Sequence, residues 1–105
     1  MQQTETVPHT LVVRPEHDIV VSYVEEFRRQ LQELVTRDGL HLVIDLAQVG
    51  MIDSRGLAVF MMCHKSLAAR AGRLTVVTSN ADFLQLFQVT RLDEHFTVTS
   101  AIPNS

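Results

Sequence analysis

At 105 residues and 11.8 kDa the chain is sized for one domain that buries roughly two thirds of its unfolded surface, and 46% hydrophobic with 20% charged residues excludes disorder over most of its length. Its single cysteine, Cys63, excludes an internal disulfide and a cysteine-rich zinc site, and fits a reducing, cytoplasmic setting. Nine basic against twelve acidic residues, net −3, leave no basic footprint for nucleic acid, and the longest apolar run, Leu57 to Cys63, falls far short of the about 20 residues of a membrane helix.

Residues 1–8 are polar and acidic; they read as a flexible tail, without the basic start and apolar middle of a signal peptide, ahead of one domain over residues 9–105. Thr10 to Arg14 predicts a strand that Pro15 ends. Asp18 to Val21 is a second short β-type stretch. Ser22 then opens a helix through a capping box with Glu25, and Val24, Phe27, Leu31, Leu34 and Val35 form its apolar face. Gly39 marks its end. Leu42 to Leu46 is apolar apart from Asp45 and does not alternate, the pattern of a central parallel strand covered on both faces. After a connector over Ala47 to Asp53, Ser54 to Ala71 has helical period and Gly72 stops it. Leu74 to Thr78 is the next buried strand. Ser79 can cap a short helix to Val89, with Leu84, Leu86 and Phe87 apolar, and Phe96 to Thr99 is the last strand before a tail at Ile102 to Ser105. This β-β-α-β-α-β-α-β order requires crossovers, hence an α/β fold with a mostly parallel sheet of about four to five strands and about three to four helices. The first strand is free to be an antiparallel edge.

In such sheets, sites gather where strands end and helices begin. Here that place is Met51 to Leu57. A serine at a helix start lies beside unpaired backbone N–H groups, and that end of a helix favours negative charge. A phosphate on Ser54 would be tolerated there; equally, Ser54 or Asp53 is the ordinary helix cap.

Leu42 to Leu57, LVIDLAQVGMIDSRGL, resembles the signature of the STAS domain, the sulfate-transporter and anti-sigma-factor-antagonist family: a buried strand ending in Asp, a connector with a hydrophobic-Asp-Ser step, a small residue, then Gly-Leu opening a helix. The resemblance extends through Glu16-His17-Asp18-Ile19, Gly72-Arg73-Leu74, Leu86 to Leu92 and Phe96-Thr97-Val98. It implies a STAS-like fold of the single-domain, anti-sigma-factor-antagonist type. It also implies a switch. A partner that is both serine kinase and anti-sigma factor phosphorylates Ser54; the unphosphorylated form binds that partner and frees a sigma factor; a PP2C-type phosphatase resets the cycle. Three features depart from the family pattern: Arg55 replaces a small residue; His17 stands where glycine is common, with Asp18 before Ile19 and not after it; and the sequence stops soon after the last strand, so that the family's final helix is expected to be short or missing.

On a helical wheel, Leu57, Phe60, Met61, His64, Leu67, Ala68 and Ala71 of the second helix make its core side, while Arg55, Val59, Met62, Lys65, Ser66 and Arg70 lie opposite. Val59 and Met62, apolar on that polar side, form with Asp53, Ser54, Arg55 and Gly56 a candidate docking surface; the same pair would serve a homodimer. His64 is expected as a hydrogen-bonded core histidine and Cys63 as a buried structural thiol. His9, His17, His41 and His95 show no metal-ligand spacing with one another or with Cys63. Asp45 and Asp53 at strand ends suggest a receiver domain, but the only lysine, Lys65, falls inside the second helix. No glycine-rich phosphate loop, HExxH or G-x-S-x-G occurs, so the expectation is a binding module without cofactor or metal. The alternative within the same fold is a constitutive STAS subunit of a lipid-transport ABC system or sensory complex.

Overall fold

The five residues His41–Asp45 are all buried, and this strand lies at the centre of the molecule. A computed structural model describes residues 1–7 and 9–102. Its elements are β1 Gln2–Val7, β2 Thr10–Arg14, α1 Val24–Leu34, β3 His41–Asp45, α2 Ser54–Ala68, β4 Arg73–Val77, α3 Ala81–Val89, a 3₁₀ turn at Leu92–Glu94, and β5 Thr97–Thr99. The strands form one sheet in the order β1-β2-β3-β4-β5. β2 to β5 run parallel, each return made by a helix, and β1 pairs antiparallel with β2.

Alternation along the strands sorts the core. Leu11, Val13, Leu42, Ile44, Leu74 and Val76 face the helices and join Phe27, Leu31, Phe60, Leu67 and Phe87 in the main cluster. Val12, Val43 and Val77 point to the opposite face, where Ile102 packs against them. The aromatic rings run through the main cluster edge to face: Phe27 to Phe60 at 6.0 Å, Phe60 to Phe87 at 5.7 Å and Phe87 to Phe96 at 6.1 Å between centroids.

Several local expectations are corrected. The eight-residue tail is instead strand β1 over Gln2–Val7. Its residues Gln2 to Glu5 are exposed, so the stretch carries no apolar alternation, and only the ladder to β2 identifies it. It takes the antiparallel edge. Asp18 to Val21 contributes an isolated parallel bridge, Ile19 to Ile52, and no strand. The Ser22 capping box does not form: α1 starts at Val24, and its cap residue Tyr23 makes no side-chain cap bond. α3 is capped by Asn80, whose Oδ1 accepts from the amides of Asp82 and Phe83; Ser79 lies one residue too early. The expected tail beyond Ile102 falls outside the described residues.

The end of α2 also differs. The helix stops at Ala68, and the Gly72 amide donates to the Leu67 carbonyl while that of Ala71 donates to Ala68, the hydrogen-bond pair of a Schellman motif. The left-handed residue in it is Ala71, at φ 60°, not Gly72. Gly72 is required for another reason: a Cβ there would sit on the Leu40 carbonyl oxygen.

Finally, α2 is rotated relative to the expected wheel. Its buried residues are Gly56, Val59, Phe60, Cys63 and Leu67. α2 packs against α1 as well as the sheet, so the buried arc turns toward α1 and takes in Val59. His64 consequently lies at the rim, half-buried, its ring 5.9 Å from that of His95 and 6.2 Å from that of Phe96. Cys63 is fully buried, and desolvation pushes its thiol up to about 12, which leaves it an unreactive thiol at neutral pH.

Candidate functional site

Two loops meet where the parallel strands end: residues 15–23 between β2 and α1, and residues 46–53 between β3 and α2. They are stitched by backbone and carboxylate together. The Ile19 amide donates to the Met51 carbonyl at 2.8 Å and that of Asp53 to the Ile19 carbonyl at 3.1 Å. Asp18 of the first loop accepts from the Gly50 amide at 2.8 Å, and Asp53 of the second accepts from the Val21 amide at 2.9 Å. Each aspartate therefore satisfies an amide of the opposite loop. A Cβ on Gly56 would stand 2.7 Å from Ile19 Cγ2 and 2.8 Å from the Ile19 carbonyl oxygen, so only glycine lets the start of α2 close onto the first loop.

This scaffold fixes Ser54. Asp53 is the N-cap of α2, its Oδ1 accepting from the amides of Arg55 and Gly56 at 3.0 Å each. The capping role offered to either Ser54 or Asp53 belongs to Asp53. Ser54 is the first residue of the helix and is exposed. Its position joins an accessible hydroxyl to the positive end of a helix 15 residues long.

The other expected site residues separate. Arg55 is exposed beside Ser54. Gly56 is buried beneath Ile19, a packing position and not a contact surface. Val59 is 4% exposed and belongs to the core, which corrects its place on the polar side of α2; Met62 is partly buried against the same cluster. Both still line the floor of an open groove of about 300 Å³ between α1 and α2, with Val24 and Ala58 beside them and Glu25, Arg28 and Arg55 on its charged margin. Arg28 pairs with Glu25 at 2.7 Å, and this bond, followed by the charges of Arg28 and Arg55, holds the Glu25 carboxyl below its ordinary value.

Two exposed apolar residues stand out, of which Val21 lies outside the segment Met51 to Leu57 expected to carry the site. Val21 is 60% exposed and Met51 58%, one on each stitched loop, and their loops flank Asp53 and Ser54. Val21 falls in the stretch Asp18 to Val21 expected as a strand, and Met51 opens the segment Met51 to Leu57 without being singled out as a contact. Their signal was position in a segment too short to be covered. Asp45, by contrast, is taken up by structure. It accepts from Arg14 Nε at 2.8 Å and from the Ala47 amide at 3.0 Å. A small cleft of about 210 Å³ at the ends of β3 and β4 has Asp45 as its single ionisable lining residue. No helix among the described residues is long and apolar enough to cross a membrane.

The sequence matches the STAS domain family over residues 1–104. The chain belongs to the STAS domain family. It is similar to an anti-sigma-B factor antagonist of Listeria monocytogenes, 33% identical over 67 residues that make up 64% of this chain and 59% of that protein, and equally to its namesake in Listeria innocua. The match thus spans about three fifths of the length of these relatives. In fold it resembles an anti-sigma factor antagonist from Mycobacterium paratuberculosis, with TM-score 0.82, 22% identity and coverage of 96% of this chain and 86% of that one. It likewise resembles the anti-sigma factor antagonist SpoIIAA in its unphosphorylated form, with TM-score 0.75, 18% identity and coverage of 96% and 88%. At these identities the likeness to the two structures is one of fold. The STAS architecture expected from LVIDLAQVGMIDSRGL is the architecture observed.

Proposed function

We propose that this STAS chain is an anti-sigma-factor antagonist: a binding module that captures an anti-sigma factor with serine-kinase activity and is switched off by phosphorylation of Ser54. The observation that carries the reading is the placement of Ser54, exposed at the first position of α2 with Asp53 already serving as the cap. Among the described residues no hydrogen bond uses the Ser54 hydroxyl, the cap bonds being made by Asp53, so the residue is open to a role outside the fold. The names of the Listeria relatives support the class of partner.

In the switch, the γ-phosphoryl of ATP moves to Ser54 Oγ, ADP leaves, and the hydroxyl proton goes to the medium. The modification adds about −1.5 to −2 of charge at neutral pH. The helix end accommodates it in the free protein, whereas an interface over Val21, Ser54 and Met51 would have to desolvate it beside the Asp53 carboxylate. A loss of about 3 kcal/mol weakens binding roughly a hundredfold, enough for a switch without a change of shape. A phosphatase of the PP2C type would restore the binding form.

The test is to incubate the protein with an anti-sigma factor of the serine-kinase type from the same organism and labelled ATP, and to titrate the two proteins by calorimetry. Label should appear on the wild type and not on Ser54→Ala. That variant should keep its affinity, and Ser54→Asp should bind at least tenfold more weakly. If Ser54→Ala stays folded but does not bind, the hydroxyl is a contact group and the chain is a permanent subunit, as in a lipid-transport ABC system or a sensory complex.

A further inference from the structure

The groove between α1 and α2 holds one acid and two arginines at its margin, Glu25, Arg28 and Arg55. Arg28 is occupied: it reaches back one turn of its own helix to Glu25. Arg55 takes part in no ion pair among the described residues. It lines the same groove as Glu25 from the opposite helix. The three charges sum to +1, and that surplus belongs to Arg55. The same residue is the chain neighbour of Ser54 on the first turn of α2, and it is exposed as Ser54 is.

We propose that Arg55 is a relay between the two: in the unmodified chain it supplies the free cation of the α1–α2 groove, and a phosphate on Ser54 draws it out of the groove into an intramolecular ion pair. Phosphorylation then acts at two places. It places negative charge at the start of α2, and it strips the groove over Val24, Val59 and Met62 of its positive margin. A dianion one residue away outcompetes Glu25, which stands across the groove and is already satisfied by Arg28, because charge-assisted bonds from a guanidinium to phosphate are strong and bidentate. The groove's surplus charge suits an apolar partner segment that carries a carboxylate, and such a segment loses its ionic anchor when Arg55 leaves.

The inference rests on Ser54 as the phosphoacceptor, and its test is separable from that reading. Phosphoserine is incorporated at position 54 during synthesis, so the outcome does not depend on any kinase, which the labelling assay above judges alone. Phosphorus and carboxyl resonances are titrated by NMR in the unmodified and phosphorylated chains, each as wild type and as Arg55→Gln, with amide spectra confirming the fold. In the wild type the second phosphate pKa, ordinarily about 6, should lie lower than in Arg55→Gln by about 0.2–0.7 of a unit, the range of an exposed ion pair. Phosphorylation should also move Glu25 to higher pH, and by more in the wild type than in Arg55→Gln, since only the wild type has a cation to withdraw. Equality of the two chains in either readout overturns the relay.

Discussion

At the amino end of the parallel strands a buried histidine is paired with a buried threonine, whereas at the carboxyl end two aspartates of the flanking loops accept backbone amides near the surface. His41, 6% exposed, shares a 2.7 Å hydrogen bond between its Nε2 and Thr75 Oγ1, and Arg73 Nη2 donates to its Nδ1 at 3.3 Å. With Nδ1 accepting, Nε2 carries the proton and donates to Thr75, which fixes a neutral imidazole. Burial, and then the Arg73 charge, lower its pKa. At the other end Asp18 and Asp53 each hold an amide of the opposite loop, and Ser54, next after Asp53, is left exposed. Both ends close with a glycine pressed onto a neighbouring segment, Gly72 on Leu40 and Gly56 on Ile19. One end finishes the fold; the other finishes it and still presents a surface.

The largest effects should come from the glycine closures. Gly72→Ala forces a methyl onto backbone atoms that cannot move aside and should cost about 1–3 kcal/mol, a fall in Tm of at least about 4 °C for a domain of this size. Its neighbour should answer in the opposite direction. Ala71→Gly removes a side chain from the left-handed region at φ 60° and should stabilise by up to about 1 kcal/mol. Thermal melts of the two variants separate a steric closure from a conformational one; equal signs would erase the distinction.

A smaller contrast belongs to the carboxyl end. Asp53→Ala removes the cap of α2 together with the acceptor of the Val21 amide, and should cost about 1–2 kcal/mol in denaturant unfolding. Ser54→Ala, one residue on, should change stability by less than about 0.5 kcal/mol. A destabilised Ser54→Ala and an unaffected Asp53→Ala would reverse the division of labour on which an available serine depends.

The smallest effect is the acid response of the amino end. A lowered folded pKa means that, below the ordinary value of 6.5, the unfolded chain binds a proton at His41 that the folded chain refuses. Stability therefore falls as the pH drops through 6.5 and continues to fall until the folded pKa is reached. Melting temperatures followed from about pH 7.5 to about pH 5 should decline more steeply in the wild type than in His41→Gln. Parallel slopes would show that the buried histidine does not distinguish the two ends.

Much of this was legible in the chain. The apolar run of β3, the helical period of α2, the connector between them and the step Asp53-Ser54 located both the sheet and the site, because those signals come from burial on both faces and from the chemistry of a helix start. Local polar patterns were less informative. Ser22-Tyr23-Val24-Glu25 has the form of a capping box, yet the preceding Val21 amide is claimed by Asp53 from another loop, and α1 begins later. Gln2 to Glu5 reads as solvent-loving tail, yet its backbone completes a ladder whose side chains stay exposed.

By itself the sequence determined the α/β class, the order of the helices and returning strands, the STAS resemblance and the position of Ser54 at the head of α2. Periodicity and residue chemistry are properties a segment carries with it. Only the tertiary structure decided that β1 exists, that Asp53 and not Ser54 is the cap, that Val59 is turned inward by α1, and that Val21 and Met51 are exposed on the stitched loops. Each of these depends on what packs alongside: β1 on its antiparallel ladder to β2, Asp53 on the Val21 amide of the other loop as well as on its own helix, and Val59 on α1; such contacts are decided by packing geometry, which no local pattern encodes.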